Sequence, residues 1–202
     1  MKKSDNQFPL FVTAILFLLL LNFSCNNEYM PKPKAYHRIV FPEKSYELYS
    51  NPGCPFQFEF PGYAKVVWDS TFFNESQKNP CWLNVDFQEL NGKIHISYAE
   101  LAEKEDLAKR IEDAHTLTFK HTKKADFIDE SKISNQYGVK GMLYEVGGDA
   151  ASSVQFYVSD DSKHFLRGSL YFETSPNIDS MGIVVDFVKV DMLHLLSTFQ
   201  WK

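Results

Sequence analysis

The chemically richest stretch of this chain is Asp160-Asp161-Ser162-Lys163-His164-Phe165-Leu166-Arg167-Gly168. Asp161, Ser162 and His164 supply the residue types of a hydrolytic triad, in which an imidazole takes the proton of a hydroxyl nucleophile and a carboxylate orients the imidazole. Triads are assembled from separated positions, whereas these three crowd one hairpin turn, and no G-x-S-x-G elbow occurs. A turn whose Ser or Asp side chain bonds its own backbone accounts for the same residues without catalysis. In the strand after the turn, alternation places Arg167 on the face opposite His164, where it can pair with an acidic helix residue or bind an anionic partner. His121 falls in the apolar stripe of a helical segment with Lys120, Lys123, Lys124 and Asp126 nearby. A His there can act as base or ligand, but such an imidazole is more often a core group satisfied by one carboxylate or carbonyl.

Other combinations carry less. Gly147-Gly148 lacks the strand–G-x-G-x-x-G–helix setting of a nucleotide loop. Asp126, Asp129 and Glu130 lack the ligand spacing of a calcium loop and read as a solvated helix end. No Cys/His set has zinc spacing, so neither metal nor cofactor is expected. Cys54 and Cys81 each sit beside a Pro at the edge of an expected strand. In an oxidising compartment two such thiols invite a disulfide, worth roughly 3–4 kcal/mol in the chain-entropy picture. The alternative is two buried free thiols.

The compartment is set by the beginning of the chain. Lys2 and Lys3 precede an apolar run from Leu10 to Leu21, then Asn22, Ser24 and Cys25. That run is shorter than the roughly 20 apolar residues a membrane-spanning helix needs, and the layout is that of a secretory signal peptide. The Cys at the cleavage point is similar to a bacterial lipoprotein signal, although Asn22 stands where such signals favour Leu. The reading is a signal peptide over 1–24, an acylated Cys25, a polar tether over 25–35 containing Pro31 and Pro33, and one domain over 36–202. The chain has 21 Lys+Arg against 26 Asp+Glu, a net charge of −5. With no basic block, nucleic acid is not an expected partner.

The elements that position these residues follow from periodicity. Strands are expected at Tyr36–Phe41, Tyr46–Tyr49, Phe56–Phe60, Ala64–Trp68, Trp82–Phe87, Lys93–Tyr98, Val139–Val146, Val154–Ser159 and Phe165–Glu173. Pro61-Gly62 is read as a hairpin turn between the third and fourth, and Asn91-Gly92 as another. Leu107, Ile111, Ala114, Thr118, His121, Ala125 and Ile128 fall on one stripe, which predicts a helix from about 104 to 129. Val185, Val188, Met192, Leu195 and Phe199 predict a second helix running to the chain end, capped by Asp179 or Ser180. Segregated strands and helices predict an α+β domain, a mainly antiparallel sheet with two long helices packed on it. The element order is analogous to Mog1/PsbP-like α/β/α sandwiches, an analogy that carries no function.

Several stretches in order resemble the GldD family of gliding-motility lipoproteins. They include Tyr29-Met30-Pro31-Lys32-Pro33, Cys54-Pro55-Phe56, Pro80-Cys81-Trp82-Leu83-Asn84, Ile94-His95-Ile96-Ser97-Tyr98, Lys163-His164-Phe165-Leu166-Arg167-Gly168, Pro176-Asn177-Ile178-Asp179-Ser180 and the closing Trp201-Lys202. The resemblance implies an envelope protein of Bacteroidetes-type bacteria required for gliding and for type IX secretion. It implies action with other gliding lipoproteins and secretion components in assembling or stabilising the machinery. It supplies no catalytic residues, so no enzyme is expected. The expected placement is the outer membrane, with the domain facing the periplasm. His121, Asp161, His164 and Arg167 are the expected docking centre. The alternatives are a periplasmic ligand-binding lipoprotein and an envelope hydrolase.

Overall fold

Two-residue alternation builds the body of this chain. The structure, a computed structural model, describes residues 38–68, 71–72, 75–76, 79–120, 124–174 and 178–202. The expected signal peptide, Cys25, the expected tether and His121 lie outside the described residues. In Phe56–Pro61 (β2), Phe56 and Phe58 are buried while Gln57 and Glu59 are half-buried. In Gly92–Glu100 (β7), Ile94, Ile96 and Tyr98 are buried, and His95, Ser97 and Ala99 face the other way.

β2 is the centre of a three-stranded sheet, between Tyr46–Ser50 (β1) and Gln200–Trp201 (β12). The larger sheet has seven strands, every neighbouring pair antiparallel. Its order is Lys65–Trp68 (β3), Leu83–Phe87 (β6), β7, His164–Phe172 (β11), Val154–Ser159 (β10), Lys140–Gly148 (β9) and Ala125–Ser134 (β8). Thr71–Phe72 (β4) and Glu75–Ser76 (β5) form a separate short ladder.

The helices take opposite faces of the large sheet. Lys104–Phe119 (α1) starts at a capping box, in which the Asp106 carboxylate accepts the backbone N–H of Glu103 and the Glu103 side chain accepts that of Asp106. It lays Leu107, Ile111 and Ala114 on Tyr144, Tyr157 and Phe165. Ile178–Thr198 (α2) buries Val188, Met192 and Leu195 in the principal core, with Phe56, Phe58, Phe156, Leu166 and Leu170. Tyr157 belongs to the first cluster and its chain neighbours Phe156 and Val158 to the second, as strand alternation requires. Each fully buried Phe or Leu contributes about 1.5–3 kcal/mol of transfer free energy. Gly168 lets the Phe156 ring lie directly on its strand, since a Cβ there would come within 2.3 Å of that ring.

Four expectations need correction. The helical stripe ends at Phe119, and Ala125–Ser134 is an edge strand on β9. Over four residues the helical and extended patterns are hard to separate, and the charges Asp126, Asp129, Glu130 and Lys132 suit an edge that must not recruit another chain. So the three acids sit on an edge strand, not at a helix end. β3 does not return onto β2 but crosses to the other sheet beside β6. The described part of the first expected strand, residues 38–41, carries none. The hairpin expected at Asn91-Gly92 is present: Asn91, in the left-handed conformation (φ 50°), closes a short 3-10 turn at Gln88–Leu90 between the antiparallel β6 and β7. At the other end, α2 begins at Ile178 and stops at Thr198, so Asp179 and Ser180 lie within it and the last residues form β12.

Candidate functional site

The β10–β11 turn is organised by Asp160. Its Oδ1 accepts the backbone N–H groups of Ser162 (3.0 Å), Lys163 (2.9 Å) and His164 (2.9 Å). Its Oδ2 accepts the Ser162 hydroxyl at 2.9 Å. Burial alone raises this carboxyl, but the N–H groups of His164, Ser162 and Lys163 and the Ser162 hydroxyl outweigh it and hold the pKa at about 2. Asp161 takes the left-handed conformation (φ 61°) and pairs, exposed, with Lys140 at 2.6 Å. His164 Nδ1 lies 2.8 Å from the Tyr98 hydroxyl, and its ring stacks on Trp201 with centroids 5.1 Å apart. Burial first, then the charges of Glu100 and Asp160, push Tyr98 up to about 12, so its hydroxyl stays a donor at neutral pH. Ser162, His164 and Asp161 therefore face three different partners and do not assemble as a triad.

Arg167 lies on the other face of β11. A cleft of about 360 Å³ opens there between α1 and strands β7 and β11. His95, Ser97, Phe165 and Arg167 form its floor, and Arg110, Asp113, Leu117 and Lys120 line it from one flank of α1. Arg167 donates from Nη2 to Gln155 Oε1 at 2.5 Å. Gln155 is 1% exposed, and its Oε1 also faces the Thr118 hydroxyl at 3.2 Å. Burial lowers the Arg167 pKa, because the charged form loses water and no carboxylate among the described residues pairs with it. Strand register sets Asn84, His95, Ser169 and Gln155 in one row across β6, β7, β11 and β10. In that row Asn84 Oδ1, Ser169 Oγ and Gln155 Nε2 are buried with no hydrogen-bond partner among the described residues.

Two further features tie the sheets together. Cys54 and Cys81, both buried, are joined by a disulfide with a Cα–Cα distance of 5.5 Å, linking the approach to β2 with the approach to β6. Asp191 of α2, 1% exposed, accepts from Lys44 Nζ (2.8 Å), the Tyr46 hydroxyl (2.9 Å) and the Tyr63 hydroxyl. Beside it, His194 Nε2 lies 2.6 Å from Glu59 Oε2, with Tyr46 stacked on the imidazole. Sequence reasoning missed this cluster. Its one signal is an acid at 191 between Val188 and Met192, inside the apolar stripe. Among the described residues no set of three or more His, Cys, Asp or Glu side chains could hold a metal ion, and no helix is long and apolar enough to cross a membrane.

Fold and site together define a disulfide-bridged α+β domain of antiparallel sheets, with one helix on each face of the larger sheet and a cleft rich in cations under the first helix. The sequence model of the gliding motility lipoprotein GldD family matches residues 26–201, and the chain belongs to that family. It is thus a membrane-anchored envelope lipoprotein with a role in gliding motility. Among solved structures, the chain is similar to the solution structure of cyanobacterial PsbP (CyanoP) from Synechocystis sp. PCC 6803. The TM-score is 0.47 at 14% identity, covering 83% of this chain and 98% of that one. No curated protein matches the chain.

Proposed function

We propose that the chain serves gliding and type IX secretion by assembling or stabilising the machinery, not by catalysis. In this reading acylated Cys25 anchors it in the outer membrane, the domain faces the periplasm, and its partners are other gliding lipoproteins and secretion components. The observation that carries the reading is that every side chain with hydrolytic chemistry in the polar turn already holds local structure: Ser162 on Asp160, His164 on Tyr98 and Trp201, Asp161 on Lys140. What the turn leaves toward solvent is an exposed ion pair at the end of the interior strands β9, β10 and β11, a contact feature more than a reaction centre. Asp161 and His164, with Arg167 and His121, are the proposed docking residues.

The test is mild-detergent purification of the tagged full chain from its own membranes, with co-purifying proteins identified. Recovery with gliding lipoproteins or secretion-channel components is expected, and Asp161→Ala with His164→Ala and Arg167→Ala should lose them at unchanged protein level. Recovery alone from membranes whose components are intact, or normal motility of the triple variant, overturns the reading. A ligand-binding lipoprotein is the second reading, and the cleft under α1 favours it.

A further inference from the structure

We infer that the cleft between α1 and strands β7 and β11 binds a small organic anion, a carboxylate or phosphate carrying an apolar body. The inference does not depend on the assembly role. It rests first on an imbalance of charge. Arg167 rises from the floor and Arg110 and Lys120 stand on the helix flank, with Asp113 as the single acid among the lining residues. Among the described residues none of these three cations is ion-paired with a carboxylate.

The second support is how Arg167 is held. A guanidinium drawn out of water needs a counter-charge or full hydrogen bonding to offset its lost hydration. Here, among the described residues, its one hydrogen-bonded side chain is the neutral amide of Gln155, which fixes one arm of the fork through Nη2. A guanidinium has five N–H donors, so the rest of the fork is left to recognise a planar or tetrahedral oxyanion in two-point fashion. Gln155 is itself oriented from α1 through Thr118, whose hydroxyl also reaches the Ala114 carbonyl at 2.9 Å. The cation is therefore positioned by buried groups and not by chance on a surface.

The third support is the wall. Phe165 and Leu117 flank the charged groups, so the space offers an apolar surface next to the anion subsite. A volume of about 360 Å³ suits a compact ligand, near the lower end of small-molecule sites of roughly 300–1,000 Å³.

The test is calorimetric titration of the full chain in a non-ionic detergent at constant ionic strength. The probes are benzoate and phenyl phosphate, with benzyl alcohol as the neutral control. At least one anion should bind saturably and the alcohol should not, and the tighter anion identifies the headgroup class. Arg167→Gln should weaken binding by about tenfold or more, as expected when a charge-assisted bond is removed. Arg110→Gln with Lys120→Gln, at exposed positions, should weaken it by a smaller factor while leaving the fold intact. Should Arg167→Gln not fold, that rim variant decides. No saturable binding of either anion, equal binding of the alcohol, or binding unchanged in the variants that fold overturns the inference. Motility plays no part in this assay, so its failure and a failure of the assembly role are read separately.

Discussion

His164 and Arg167 are three residues apart on β11 and serve opposite layers of the protein. His164 reaches Tyr98 and stacks on Trp201 at the edge of the principal core, whereas Arg167 turns under α1 onto Gln155. One strand thus contributes a structural imidazole to one side and a cation to a cleft on the other. The consequence is separable effects. His164→Ala should cost about 1–2 kcal/mol in urea unfolding through its lost hydrogen bond and ring stacking. It should leave anion binding in the cleft unchanged. Arg167→Gln should do the reverse, and the two stability changes should add within about 0.5 kcal/mol. Unfolding curves and probe titrations on both single variants and the double variant check this.

Asp160 gives the turn a pH dependence with a definite sign. Its folded pKa is about 2, below the roughly 4 of an unfolded aspartate. The folded state therefore binds the proton less readily than the unfolded chain. The stabilisation is fully present above about pH 4 and is lost as pH falls from there through about 2. Asp160→Asn should be less stable than the parent at neutral pH by about 1–2 kcal/mol, after allowance for partial solvent screening. The gap should close on acidification across that window, while Asp161→Asn, whose partner Lys140 is exposed, should show little difference at any pH. Chemical denaturation from pH 2 to 7 on the three proteins reads the outcome.

The disulfide acts mainly on the unfolded chain. Cys54 and Cys81 are 27 positions apart, a loop whose closure is worth about 3.5 kcal/mol in the chain-entropy picture. Cys54→Ala with Cys81→Ala should lower stability by about that amount and raise the denaturant m-value, because the uncrosslinked unfolded chain exposes more surface. Single substitutions should be worse tolerated than the double one in an oxidising medium, since each leaves a free thiol. Unfolding with and without reductant checks the prediction, and the double variant should be insensitive to reductant.

Where one period ran unambiguously, the sequence was legible. F-Q-F-E-F over 56–60 and the stripe Val188, Met192, Leu195 led directly to a central strand and a core helix. The hidden parts were those fixed by long-range pairing. Nothing local tells that β3 leaves its neighbour β2 for β6, or that Gln200–Trp201 turns back onto β2 after the helix. Residues 125–128 satisfied both the helical and the extended pattern, and sheet completion beside β9 decided between them. At the site, alternation correctly set His164 and Arg167 on opposite faces. The partners of each, Tyr98, Trp201 and Gln155, are distant in sequence and carried no signal. Asp160 was visible in the turn, but only its geometry shows that it, not Asp161 or Ser162, organises the loop.

Asp191 is the acid whose loss should matter most for folding. It sits almost fully buried on α2 and gathers Lys44, Tyr46 and Tyr63, so it joins the segment before β1 and the turn after β2 to the helix. Asp191→Ala removes one partner and leaves a cation and two hydroxyls without their acceptor, a change that typically costs about 3–5 kcal/mol. The cost should fall at the low end, because the Lys44 side chain is 29% exposed and can regain water. Adding Lys44→Met to Asp191→Ala should recover part of the loss, since the orphaned charge disappears with it, giving a coupling of about 1 kcal/mol or more. A spectroscopic reading separates this from plain loss of packing. Tyr46 is pushed up to about 12 by burial first and by the Asp191 carboxylate second. In Asp191→Asn the carboxylate contribution goes while burial stays, so this tyrosine should ionise at a lower pH than in the parent, yet still above the usual value of about 10. Tyrosinate absorbance across alkaline pH measures the shift, and an unchanged titration with a large stability loss would assign Asp191 a packing role only.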